Sequence, residues 1–488
     1  MSKDREYDAI VIGSGPNGLA AAIKLAQAGL SVCIFEAKET IGGGMRSFEL
    51  TLPGFLHDIC SAIHPLGIGS PFFCSLPLDK YGLEWIHPSI PLAHPFDDGT
   101  AVVLDRSIET TCKVLDVDAA SYRELMESFV NNWNELAPDL LGPLHLPKHP
   151  FLMARFGVLA IRSAAGLSKS WFKGNAARSL FAGLAAHSNM PLDKPLTAAF
   201  GLILGILGHA VGWPIAQGGS QKIADALASY FRSLGGEIYT GVTIDNIDKL
   251  PPAQAVLCDI TPRQLLKIAG HRLPSHYMRR LEGYRYGPGV FKVDWALNHP
   301  IPWKAQECAK AATLHLGGTA DDIIASEREV GENKHPIKPY IILAQQSLFD
   351  LSRAPTGKQT AWGYCHVPNG STVDMTENIE AQIERFAPGF RDCILARSTM
   401  TAMELEQYNA NYVGGDINGG VQDIYQLFMR PTARWVPYST PVKGLYLCSS
   451  STPPGGGVHG MCGFHAASAA LKQVFNVKSQ KGACRHRV

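Results

Sequence analysis

Several signals are absent from this 488-residue chain. Lys and Arg number 44 against 43 Asp and Glu, a balance of +1, so no overall field draws it to nucleic acid or to an acidic surface. Charged residues make up only 18%, which argues against long disordered tracts. The eleven cysteines never form a C-x-x-C pair, and such scatter in a long chain reads as reduced intracellular thiols. Residues 1–13 pass from a charged tip into an apolar run without a basic region, apolar core and cleavage site in series. No secretory leader is expected, and a cytoplasmic setting is. No internal repeat or low-complexity stretch occurs.

What the chain does have is apolar bulk and tight turns. Hydrophobic residues reach 46%, with 48 Gly and 32 Pro, and the length suggests roughly two to four domains' worth of core. A mean hydropathy of 0.00 leaves room for a greasy substrate or a membrane-facing patch.

The sharpest signal lies in residues 7–36. A β-branched apolar run (7–12) precedes Gly13, Ser14, Gly15, Pro16, Asn17 and Gly18. An Ala-rich helix over 19–28 follows, then a second apolar run (30–35) that ends at Glu36 and Ala37. This is strand, glycine loop, helix, strand and terminal acid in the order a dinucleotide requires. Gly13 permits the tight turn, Gly15 lets backbone approach a diphosphate, and Gly18 lets helix and strand pack closely. The helix N-terminus offers free N–H groups to the phosphates, and Glu36 is placed to hold a ribose diol.

A second glycine cluster, Gly42, Gly43 and Gly44, follows Glu36 by six residues and runs into Met45 and Arg46. This pattern resembles the large flavoprotein group that holds amine oxidases and phytoene desaturases, in which an acid and short spacer precede Gly-Gly-Arg. Gly44 stands where that Arg is usual, and Arg46 is its expected substitute. The C-terminal end resembles the same group: an apolar run (444–448), then Ser449, Ser450, Pro454, Gly455, Gly456, Gly457, Val458 and His459, then a helix from about 463 to 474. A third piece follows Gly212, with an amphipathic helix, Gly235, Gly236 and a strand leading to Val242, where the resemblance implies backbone contact with adenine.

The resemblance covers nearly the whole chain and is closest to phytoene desaturase-like FAD oxidoreductases. It implies FAD as cofactor and an α/β fold: a discontinuous, glutathione-reductase-like Rossmann domain with an inserted α+β substrate domain. The expected segments are 1–79, 212–284 and 439–488 for FAD, and 80–211 (mostly helical) and 285–438 for substrate. Within the latter, Asp98 and Gly99 mark a hairpin turn, 289–297 alternates like a strand, and the polar stretch 318–339 reads as a mobile loop. Residues 195–216 carry no Asp, Glu, Lys or Arg and are long enough to span a bilayer. Their glycines favour a buried helix over an apolar tunnel.

Lys292 interrupts the apolar run 289–297 and is the one catalytic candidate. The run resembles the amine oxidase strand whose Lys approaches flavin N5 through a water; the alternative is a lysine facing solvent. Gly414 to Asp416 and Arg430–Pro431 resemble the family's active-site side, with a surface loop as alternative. His459, Cys462 and His465 overlap the flavin loop, and no metal is expected there. The function implied is hydride transfer from an apolar, isoprenoid or carotenoid-like substrate to flavin N5, with oxygen or a quinone as electron acceptor. A flavin amine oxidase is the alternative, favoured if Lys292 stands in the site beside an aromatic cage. A non-catalytic FAD-fold binding protein is the alternative of another class. Peripheral membrane contact stays open, and nucleic acid is not expected.

Overall fold

The structure, a computed structural model, describes residues 6–477. Residues 1–5 and 478–488, with Cys484 and the end of the 439–488 segment, lie outside the described residues.

The chain opens with β1 (Tyr7–Ile12), α1 (Pro16–Ala26) and β2 (Val32–Phe35). The two strands are parallel neighbours, and their near-continuous apolar character suits a sheet covered on both faces. Pro16 sits in the first turn of α1, where its missing N–H costs nothing and its fixed φ helps. The helix therefore starts earlier than the apolar periodicity alone predicts.

The chain then leaves this layer. β3 (Ile90–Pro95) and β4 (Ala101–Leu104) pair antiparallel about the turn holding Asp98 and Gly99. A helical stretch follows that includes α2 (Pro150–Ala160), α3 (Ala164–Trp171) and α4 (Thr197–Ala210). It returns with α5 (Gln221–Ser233), β5 (Glu237–Tyr239) and β6 (Ala253–Cys258). It departs again through β7 (Gly289–Leu297), β8 (Ala311–Leu316), α6 (Ala320–Gly331), β9 (Ile341–Ala344), β10 (Gln359–Val367) and β11 (Ile394–Met400). β12 (Leu445–Leu447) and α7 (Met461–Gln473) bring it back.

Two large sheets result. One is wholly parallel, in the order β12-β6-β1-β2-β5; the other is mixed, in the order β11-β7-β10-β9-β8-β3-β4, with only β3 and β8 parallel. This is an α/β Rossmann-like dinucleotide-binding fold with an inserted substrate-binding domain.

Residues 195–216 form no long span. Their helix, α4, is 14 residues long, and among the described residues no single helix is long and apolar enough to cross a bilayer. Its glycines are there for packing: a Cβ on Gly201 would lie 2.9 Å from the Phe181 ring, and one on Gly208 2.4 Å from Leu104 Cδ2.

The loop expected over 318–339 is instead largely α6. Thr319 and Asp322 close a capping box at its start, and Ile323 and Val330 are buried beneath a polar outer face. The helix is read as a loop because its apolar stripe is only a few residues wide. Glu327, which looks like a solvent residue, is buried and pairs with His366 at 2.8 Å.

Candidate active site

A cavity of about 1090 Å³ runs between the two sheets, larger than the roughly 300–1,000 Å³ of an ordinary small-molecule site. It has room for an extended cofactor and a substrate together.

At one end lie the three glycine pieces. The Gly13 amide donates to Phe35 O at 2.8 Å, closing the turn after β1. A Cβ on Gly18 would fall 2.1 Å from Gly13 O, so Gly18 packs helix on strand and does not itself line the cavity. Gly42 donates to Ser14 O at 3.0 Å, folding the second glycine cluster onto the first, and a Cβ on Gly43 would sit 3.0 Å from Gly15 Cα. The departure at Gly44 has a cause in the tertiary structure: any Cβ there would lie 2.4 Å from Tyr412 Oη.

Glu36 is buried at the end of β2. Its Oε2 accepts from Ser14 N at 2.9 Å and Ser14 Oγ at 2.6 Å, and its Oε1 from Lys38 N at 3.0 Å and Arg46 Nη2 at 3.1 Å. The Arg46 guanidinium thus neutralises the Glu36 carboxylate, and its Nε donates to Thr40 O at 3.0 Å. Val242 stands beside them, its amide donating to Glu36 O at 2.8 Å. At the other end of the cofactor track, Gly463 lets α7 press on α1, since a Cβ there would be 1.8 Å from Asn17 O. Ser70 Oγ donates to His459 O at 2.6 Å and Met461 N donates to His459 Nδ1 at 3.0 Å. Burial pulls the His459 imidazole down to about 4, so it is neutral at pH 7. Cys462 Sγ turns to Thr452 O and His465 Nε2 to Leu141 O, so the three point to different partners.

Gly13, Ser14, Gly15, Pro16, Asn17, Glu36, Ala37, Gly43, Gly44, Arg46, Val242, Ser450, Pro454, Gly457, Val458 and His459 all line the cavity. Met45 and Gly455 stand behind the lining; a Cβ on Gly455 would meet Arg430 Nη1 at 2.7 Å. Buried Arg430 donates to Tyr284 Oη and Gln422 Oε1, buttressing the wall that Asn418, Gly419 and Gln422 present. Asn17 Oδ1 and Asn418 Nδ2 are buried on lining residues without partners. Glycine cradles, a fixed acid and these unmet polar atoms fit a dinucleotide.

One residue escapes sequence reasoning here. Asp259 follows β6, lines the cavity and accepts from Gly18 N at 2.8 Å, occupying part of the α1 N-terminus. Burial pushes its carboxyl up to about 7, against the pull of the Gly18 and Gly15 amides and with Glu36 adding to the rise. An acid closing an apolar strand was the available signal, but its partner is 241 residues away.

The other end belongs to the mixed sheet. Lys292 faces the cavity and is 3% exposed, which excludes the solvent-facing alternative. Its Nζ pairs with Asp294 Oδ2 and sits 5.8 Å from the centre of the Trp362 ring. Tyr364 lies opposite Lys292 in the β7–β10 ladder, its ring 5.5 Å from that of Trp362. Burial raises Asp294 to about 6, offset by Lys292. Its free Oδ1 lies 3.6 Å from His57 Nδ1, and burial with Lys292 nearby drops His57 to about 3. Next in line, Asp58 is buried, which alone would raise it, yet Arg353 at 3.1 Å and the Ser47 and Ser220 donors hold it below its usual value. His187, Asn189, Trp213 and Thr313 complete this polar and aromatic floor. From it an apolar arm extends between Met153, Phe156 and Ile161 on one side and Leu196, Phe200 and Ile203 on the other.

Comparison with known proteins agrees with this geometry. The model of the NAD(P)-binding Rossmann-like domain matches residues 11–71. The mouse protein called pyridine nucleotide-disulfide oxidoreductase domain-containing protein 2 is 27% identical over 97% of this chain and 94% of its own. A neurosporene-forming phytoene desaturase of Rhodobacter capsulatus is 25% identical over 95% and 94%. A solved structure of putrescine oxidase bound to putrescine covers 97% of this chain and 100% of its own with a TM-score of 0.61 at 16% identity. The chain therefore has the Rossmann-like architecture of the amine-oxidase and related oxidoreductase superfamily, and its cavity is a FAD or NAD(P) dinucleotide site. The general reaction type is that of a FAD-dependent oxidoreductase, electrons passing from a substrate to flavin.

Proposed function

We propose that the protein is a FAD-dependent amine oxidase whose substrate carries a bulky apolar arm. The observation that supports this most is Lys292, turned into the cavity beside Trp362 and Tyr364. FAD, when bound, would supply a two-electron acceptor to this site, with oxygen as the final acceptor in this reading. The glycine loops and Glu36 would hold its diphosphate and ribose, and the 449–459 turn with the α7 N-terminus would hold the flavin end.

The rest is done by the chain's own groups. Trp362 and Tyr364 present aromatic faces that orient the reacting C–N bond, and the α2 and α4 walls exclude water from it. The Lys292 ammonium disfavours a cationic substrate nearby, so the amine reacts as its neutral form. Asp294 lies behind the lining and pairs with Lys292, which fixes the direction in which that ammonium points. The structural likeness to putrescine oxidase supports this reading at the level of architecture.

A second reading, dehydrogenation of an isoprenoid hydrocarbon, is favoured by the wholly apolar arm and by the relationship to phytoene desaturases. Anaerobic titration of the purified flavoprotein separates them. Bleaching of the visible flavin bands by apolar amines, with aldehyde and peroxide appearing in air, is the expected result. Bleaching by polyenes alone would overturn it in favour of the second reading. A protein that stays colourless after FAD addition would overturn both and leave a binding role.

A further inference from the structure

We propose that the far floor of the cavity is built to receive an uncharged carbonyl oxygen, so that the substrate carries a carbonyl between its reacting end and its apolar tail. Four polar side chains meet there with hydrogen-bonding capacity that the chain leaves unused. Thr313 and Trp362 lie on one face of the mixed sheet, each directly opposite Ala344, so only a methyl stands between them. Both line the cavity, and Thr313 Oγ1 and Trp362 Nε1 are buried without partners. Asn189 is 4% exposed and lines the same cavity with Nδ2 unpartnered. Its φ of +52° is one that Asn tolerates better than most residues.

The fourth, His187, has its tautomer set from behind. Its Nε2 is 2.9 Å from His315 Nε2, and the Trp213 ring packs against both imidazoles at 5.9 and 6.0 Å. Burial pulls His187 down to about 3 and His315 well below its usual value. Both are therefore neutral at pH 7, and a single proton lies between them. His315 Nδ1 is buried with no partner, and a lone pair is cheaper to leave unmet there than an N–H. His315 thus donates through Nε2, and His187, accepting at Nε2, carries its own proton on Nδ1. His187 is half-buried at the cavity wall, so that N–H is offered to a ligand.

Donors exceed acceptors on this floor, which calls for an oxygen with free lone pairs. Charge makes it a carbonyl rather than a carboxylate. Of the cations that line the cavity, only Lys292 belongs to the substrate half, and it is already paired with Asp294. A buried carboxylate with no cation of its own would be costly. Thr313 is three strands from Lys292 in the sheet, roughly 14 Å, and the apolar arm continues past it. The order of groups is then amine, a spacer of no more than about that length, carbonyl and apolar tail. The amine rests on the reading above; the carbonyl site does not.

The test is calorimetric binding of two matched ligands to the flavin-loaded protein, its flavin chemically reduced beforehand so that nothing turns over. One ligand is tridecylamine; the other is the same chain with its eighth carbon oxidised to a ketone. The wild type should bind the ketone roughly tenfold or more tighter. Thr313→Val, which keeps the side-chain shape, and His187→Phe should each lose most of that preference. The ratio of the two affinities, unlike either alone, is not moved by a general loosening of the fold. Equal affinity of the wild type for both ligands would mean that water alone meets these donors, and would overturn the proposal. So would a preference that survives in both variants. Failure of the oxidation reading looks different: preferred ketone binding, with no bleaching of oxidised flavin by either amine, would remove the amine reaction and leave the carbonyl site standing.

Discussion

Replacing Asp259 with Asn should flatten the pH dependence of stability in the cofactor-free protein. In the folded chain the carboxyl is raised from 3.8 to about 7, chiefly by burial. A carboxyl raised on folding contributes stability that is fully present below about pH 4 and lost as the pH climbs through about 7. The gap between the two values corresponds to roughly 4 kcal/mol of lost stability above pH 7. Asn keeps the acceptor for Gly18 N without a charge, so Asp259→Asn should match or trail the wild type near pH 4 and exceed it by several kcal/mol near pH 8, to order of magnitude. Denaturant unfolding followed by tryptophan fluorescence across that range reads both curves. FAD binding should follow the same sign: the ionised carboxylate shares the α1 N-terminus with a diphosphate, so wild-type affinity should fall above pH 7 and that of the variant should not. Parallel stability curves for the two proteins would refute the reasoning, since they would mean that Asp259 ionises as freely folded as unfolded.

Other changes test the remaining parts of the site. Gly18→Ala puts a methyl 2.1 Å from Gly13 O, a backbone contact that cannot swing away, and should abolish flavin retention, seen in the visible spectrum. Lys292→Met should keep bound flavin yet slow its anaerobic reduction by amine about a hundredfold or more, measured by stopped flow. Arg353→Met would leave the buried Asp58 and Asp350 carboxylates unpaired and should cost about 3–5 kcal/mol of stability by denaturant titration. Ile203→Trp, narrowing the apolar arm, should raise KM roughly tenfold for long-chain amines while short ones are unaffected.

The dinucleotide half was readable because its signals are local. Glycine spacing from Gly13 to Gly18, an apolar run on each side and Glu36 at the end of the second are properties of one continuous stretch. Backbone sterics force the same turn wherever that pattern occurs. The helix after Gly212 and the Pro-Gly turn before α7 were legible for the same reason. Asp259 was not, because its role arises only when β6 lies beside β1. The reason for Gly44 was equally hidden, since Tyr412 reaches it from 368 residues on.

The substrate half shows the limit more sharply. Alternation along β7 puts Lys292 on one face and Phe291 and Val293 on the other, but all nine residues of the strand are buried, so periodicity could not say which face meets the cavity. Only the pairing of β7 with β10, which sets Tyr364 opposite Lys292 and Trp362 opposite Asp294, decides that the charge joins an aromatic floor. The polar helix α6 was likewise missed, because its buried Glu327 is stabilised by a distant His366 rather than by its own neighbours. The amino-acid sequence by itself determined the cofactor loops, since those depend on backbone freedom and near-neighbour spacing. The tertiary structure alone decided what the cavity can bind, since that depends on which side chains from remote strands and helices share one enclosed, poorly solvated space.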